Sequence, residues 1–231
     1  MQRMLELVNH IRTTHPKDDF FADIEHIWQT SVQALAQYEA YDSAFQLLDA
    51  ESWFELKAKA TAHFRDHRAG QLKQGFFNQL NEAFAYEHLT RAGCTQVRIL
   101  KEVGKTTPDI SYNADGKNRH CEVKTIGISD DQIARQEKIE AFSGVIYERL
   151  SNGYLQKLIK TIAAAEKQIA AKGTSGTIYI ITLFDDFTHG HYETYETQIS
   201  ETLATLTSPF VAVRVGVLGN KIIEKGTLLH T

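Results

Sequence analysis

The chain has 231 residues, 42% hydrophobic and 23% charged, with a formal net charge of −4. This composition suits a folded protein of one large domain or two small ones and excludes a disordered or disulfide-stapled chain. The acidic balance argues against strong generic attraction to nucleic acid, which an excess of Lys and Arg normally carries.

No apolar run approaches the length of a membrane span, and residues 1–12 lack a signal-peptide core, so a cytoplasmic protein without a membrane partner is expected. Cys94 and Cys121 lack metal-like spacing and read as buried free thiols. Acids outnumber bases over residues 1–70, whereas residues 71–190 are close to balance.

Residues 1–70 read as helical throughout. Met4, Leu5, Val8 and Ile11 form a short amphipathic set that Pro16 ends. Asp18 or Asp19 can cap a following helix bearing Phe20, Ile24, Ile27, Trp28 and Leu35, and a third segment carries Trp53, Leu56 and Phe64. Helical spacing assigns these aromatics to packing. No Gly/Pro/Ser-rich linker follows, so a helical region over 1–70 is expected to pack against a second region, 71–231.

A helix is predicted over 72–92, closed by Gly93 as its C′ residue. A strand follows over 96–103, then a hairpin: Asp109 opens its first strand, Asn113, Ala114, Asp115 and Gly116 make the turn, and the return strand runs to Ile126. On that return strand a period of two puts Cys121, Val123 and Thr125 on one face and His120, Glu122, Lys124 and Ile126 on the other. A carboxylate and an ammonium on a central strand cost stability unless paired or metal-bound, and a chain that keeps them there has a use for them.

Residues 129–150 read as an insertion, with Asp130 and Asp131 placed to cap a helix through Glu140. Its position beside the hairpin suits a substrate-binding flap or a dimer arm. A long helix is expected over 152–171 with Lys157, Lys160 and Lys167 recurring on one side. Then come a strand over 177–184, a helix over 191–206 and an apolar strand over 210–218.

The chemistry concentrates in the hairpin. Asp109, preceded by Pro108, and Glu122 supply two hard oxygen donors that can share a divalent cation. Lys124, two residues beyond Glu122, lies on the same strand face. The order helix, three strands, helix, strand around this Pro-Asp and Glu-x-Lys pattern resembles the core of the PD-(D/E)XK nuclease superfamily, over about half the chain. In motif spacing it is nearest to the Holliday-junction resolvase and Mrr-like members. In those members a glutamate of the first helix stands seven residues before a leucine and eleven before the closing glycine, a spacing that Glu82, Leu89 and Gly93 reproduce.

The resemblance implies an α/β, restriction-endonuclease-like fold: an α-β-β-β-α-β core with a central mixed sheet flanked by helices, here preceded by a helical extension. It further implies that Asp109, Glu122 and the Val123 carbonyl hold Mg²⁺ or Mn²⁺, with Glu82 contributing directly or through water. Glu87 competes for that last role, but Glu82 shares a helix face with Ala85 and Leu89 and is preferred. Lys124 would orient or help deprotonate the attacking water and stabilise charge in the transition state, and Lys157 and Lys160 would contact substrate. The activity implied is endonucleolytic hydrolysis of nucleic acid, DNA before RNA, by a homodimer where both strands of a duplex are cut. Whether one or two ions act stays open. A catalytically inactive binding or assembly module of the same fold is the alternative, and a nuclease effector acting on tRNA or invading DNA is a third reading.

His63 and His67, and His189 and His191, lack the accompanying carboxylates of a zinc site and read as surface histidines. No Walker loop, dinucleotide-binding glycine pattern or Gly-x-Ser-x-Gly elbow is present, which leaves ATP-driven and acyl-transfer chemistry without support.

Overall fold

The computed structural model describes residues 1–67, 72–103, 107–127, 149–183, 192–208, 210–219, 221–226 and 228. The chain is α/β, with a six-stranded mixed sheet in the order β1-β2-β3-β4-β5-β6 and helices flanking it. It divides into two compact units, Met1–Cys121 and Glu122–Thr231. The division falls inside a strand, and the boundary expected at residue 70 lies within the first unit.

In the first unit, α1 (Gln2–Thr14) buries Met4, Leu7, Val8 and Ile11, a spacing that lays one stripe on the core. Leu7 takes the place expected for Leu5, which is 39% exposed. Residues 20–35 do not form one helix. Instead α2 (Ile24–Thr30) and α3 (Val32–Leu47) meet at Ser31, whose Oγ accepts from the Ala34 N–H at 3.2 Å and caps α3. Asp18 caps no helix: its carboxylate accepts from the Phe20 N–H at 3.1 Å and pairs with Lys73.

Asp49 caps α4 (Ala50–Ala62) by accepting from the Ser52 N–H at 2.8 Å. Trp53, Leu56 and Phe64 are buried, as packing predicts, and Phe64 joins Phe21 and Phe76 at centroid distances of 5.8 and 5.3 Å.

The single helix expected over 72–92 is two, α5 (Gln74–Leu80) and α6 (Glu82–Arg91). They break at Asn81, whose side-chain oxygen accepts from the buried Tyr41 hydroxyl at 2.9 Å. A bond reaching forty residues back in the chain leaves no local trace in the sequence. The C-terminus of α6 follows the prediction. Gly93 has φ +85°, the Cys94 N–H donates to the Leu89 carbonyl and the Gly93 N–H to the Thr90 carbonyl, the paired bonds of a Schellman motif.

β1 (Thr95–Ile99) pairs antiparallel with β2 (Ile110–Ala114), which pairs antiparallel with β3 (Lys117–Ile126). Between β2 and β3 only Asp115 and Gly116 turn the chain, both at positive φ (53° and 70°), as a tight type I′ hairpin requires. The strand therefore continues through Asn113 and Ala114, which the sequence assigns to the turn. Cys94 and Cys121 are free and buried, as expected.

The second unit begins within β3. It contains α7 (Asn152–Ala170), capped by Ser151, then β4 (Gly176–Thr182), α8 (Tyr192–Ala204), β5 (Val211–Val215) and β6 (Ile222–Lys225). β4 and β5 are parallel and β5 and β6 antiparallel. Its core gathers Leu158, Ile162 and Ile169 of α7, Ile178 and Ile180 of β4, Ile199 and Leu203 of α8, the β5 valines and Ile126. β5 is shorter than the expected 210–218 because Gly216, at φ +72°, bends the chain away. β6 has no counterpart in the sequence reading. The helix expected from Asp130 or Asp131 through Glu140 lies outside the described residues.

Candidate active site

The hairpin sets the position of both motif acids. Its last paired couple is Ile110 with Cys121. Asp109 stands one residue before that couple on one strand and Glu122 one residue after it on the other. The Leu100 N–H donates to the Asp109 carbonyl at 2.8 Å, tying this backbone to the end of β1.

Glu122 is almost wholly buried, and the Lys124 ammonium lies 2.5 Å from its Oε1. That approach fits two side chains two residues apart on one strand face. Lys124 is 30% exposed, so its charge faces both the carboxylate and solvent. The Val123 side chain is buried on the alternate face.

In the first unit, Glu82 opens α6 and is 3% exposed. Both its oxygens accept from the Lys59 ammonium, at 2.6 and 2.8 Å, and the same ammonium lies 3.9 Å from Asp109 Oδ1. Burial works against the Lys59 charge, but the nearby Glu82 and Asp109 carboxylates and the Glu82 hydrogen bond outweigh it and hold the ammonium above its ordinary pKa. Lys59 is the residue that the sequence reading misses. A signal was present: Ser52, Leu56 and Lys59 fall at i, i+4 and i+7 on the buried stripe of α4, and a lysine on an apolar stripe needs an acidic partner. Glu87, the competing helix acid, instead pairs with Arg91 at 2.9 Å along α6.

One helical turn beyond Lys59, His63 is bracketed by two carboxylates, Asp66 at 2.7 Å and Glu102 at 3.4 Å. Lys157 and Lys160 are exposed on α7, where they line a shallow groove with Gly153, Gln156, Thr161 and Ala164.

Among the described residues no group of three or more His, Cys, Asp or Glu side chains is gathered as a metal-holding set. Two carboxylates with a backbone carbonyl suit Mg²⁺ all the same, because that ion keeps several waters and is commonly held by one or two carboxylates together with substrate phosphates. Asp109, Glu122 and Val123 carry oxygen atoms of that chemical type. Comparisons with protein-family models, with curated proteins and with solved structures found no match. No helix among the described residues is long and apolar enough to cross a membrane.

Proposed function

We propose that this protein is a metal-dependent endonuclease with a restriction-endonuclease-like core, acting on DNA in preference to RNA. The observation that carries the reading is the buried Glu122, with Lys124 at 2.5 Å, one step past the hairpin couple that Asp109 precedes. Burying a carboxylate is costly, and a metal-dependent phosphodiesterase gives it a use.

Asp109, Glu122 and the Val123 carbonyl would hold Mg²⁺ or Mn²⁺, which when bound supplies acidification of water and polarisation of the phosphoryl oxygen. Lys124 contributes a fixed positive charge where negative charge develops as the water oxygen bonds to phosphorus and the leaving sugar oxygen departs. Lys157 and Lys160 would hold backbone phosphates along α7. Cutting both strands of a duplex calls for two centres, hence a homodimer on such substrates.

Cleavage of plasmid, branched and single-stranded DNA and of RNA, with Mg²⁺, Mn²⁺ or EDTA, tests the proposal. Cutting that needs the metal and vanishes in Asp109→Ala is expected, with Lys124→Ala lowering the rate about 10²–10³-fold. A second reading, a non-catalytic binding or assembly module, is favoured by Lys59, which neutralises Glu82 within the protein itself. Absence of cutting together with absence of Mn²⁺ binding would select it.

A further inference from the structure

We propose that the outer face of α7 grips double-stranded DNA by its backbone, with Lys157, Lys160 and Lys167 holding phosphates and no base being read. The inference rests on the nucleic-acid reading above, which it deepens by naming the form of the substrate and a third contact, and it draws on the second unit alone.

α7 buries Leu158, Ile162, Ala165 and Ile169 along one side. Lys157, Lys160, Ala164 and Lys167 follow at i, i+3, i+7 and i+10, so they form one row on the opposite side, and all four are exposed. Stability does not account for that row. Among the described residues Lys57, Lys59, Lys73, Lys124 and Lys221 each pair with a carboxylate, whereas none of the three α7 lysines does. The first turn of α7 carries no acid, and Lys157 and Lys160 stand in its N-terminal half, the end at which the helix dipole favours negative charge. Glu166, the one acid of the helix, is half-buried on a flank away from the row. What results is a strip of unneutralised positive charge on a chain of net charge −4, and its complement is a polyanion. From Lys157 to Lys167 the row covers about 15 Å of helix axis, and duplex DNA presents a phosphate about every 3.4 Å along each strand, so the three ammonium groups fall within about five base pairs of backbone. Gly153 and Ala164, which line the groove with Lys157 and Lys160, add no bulk that would hold a backbone off. The duplex form follows from the side chains on this face: grips on single strands stack bases on aromatic rings, whereas the one aromatic of α7, Tyr154, packs against the core and donates its hydroxyl to Thr182 Oγ1 at 2.7 Å.

The test is fluorescence anisotropy of the full chain with a labelled DNA duplex of about 20 base pairs, in EDTA and over a salt series. Each of Lys157→Gln, Lys160→Gln and Lys167→Gln is expected to lower the slope of log K against log salt by about one, and the triple variant to weaken binding by about tenfold or more. Ala164→Glu, which sets a negative charge in the middle of the row, is expected to weaken binding as much as loss of one lysine. A duplex of unrelated sequence is expected to bind within about threefold of the first, since phosphate contacts carry no sequence information. Unchanged affinity and slope in the triple variant would overturn the inference, as would tighter binding of the single strand or of duplex RNA, or displacement of the duplex by polyglutamate at equal charge. Metal-dependent cutting alongside any of those results would keep the nuclease reading and remove this surface. Loss of slope in the lysine variants, with neither cutting nor Mn²⁺ binding by wild type, would keep the surface and remove the nuclease.

Discussion

At the scale of single residues, the buried Lys59–Glu82 pair has thermodynamic weight. Removing one member strands the other in a buried site, so Glu82→Ala should cost about 3–5 kcal/mol in urea unfolding. Replacing both with apolar residues of similar volume should cost much less, and a double-mutant cycle measures the difference. The Lys59 pKa is raised in the folded chain, so the stabilisation it brings is fully present below the ordinary lysine value of 10.5 and is lost as pH rises through the folded value. Urea midpoints measured into the alkaline range should therefore fall more steeply for wild type than for Lys59→Met/Glu82→Gln. Glu122 and Lys124 were legible in the sequence because strand alternation is local: two residues apart means one face. Lys59 was not read, since its partner lies 23 residues later and only packing of α4 on the following elements brings them together.

At the scale of elements, the turns and caps were the most legible features and the helix breaks the least. Asp115-Gly116 and Gly93 announce their conformations because positive φ is cheap for few residue types. Gly93→Ala should thus destabilise by about 1 kcal/mol through its φ of +85°. Gly75→Ala should cost more, because a Cβ there would stand 2.5 Å from Asp66 Cβ and 2.9 Å from the His63 carbonyl, forcing the start of α5 away from the end of α4. Chemical denaturation of the two variants side by side checks that ranking. The side-chain partner of Asn81 at the break was hidden because Tyr41 reaches it from α3, whereas Ser31 followed by the Ala34 amide was an ordinary N-cap that periodicity alone overrode. β6 was missed for a related reason: four residues are too few for alternation to register.

At the scale of the whole chain, the sequence conveyed an α/β protein with a mixed sheet and a helical preface, since runs of apolar residues with periods near 3.6 and 2 alternate along it. The chain divides into its two compact units within β3. The helices of 1–70 share one core with α5 and α6, so the first unit closes only within β3. Acid should loosen that helical part first. The Lys57 hydrogen bond holds Glu6 low, and the Arg12 hydrogen bond holds Glu25 at about 2. Depressed folded values mean stability that is present above the ordinary value of 4.5 and lost as pH falls through the lower folded ones. Glu6 also accepts from the Trp53 indole N–H at 3.1 Å, so Trp53 reports the event directly. In a Trp28→Phe variant, tryptophan fluorescence should stay constant down to pH 4.5 and change below it, and Glu6→Gln should abolish that step while the fold persists.

The two-residue turn at Asp115 and Gly116 has a consequence of parity. Every residue of β3 takes its side of the sheet by counting from that tip, so one added or deleted residue there would turn Glu122 and Lys124 inside out while leaving both of them in the sequence. A change in loop length some six residues before Glu122 would then invert the face of both side chains without altering either of them. Two compensating changes would restore the face but slide Asp109 out of step with Glu122. The length of the hairpin is thus as much a part of the motif as the acids themselves.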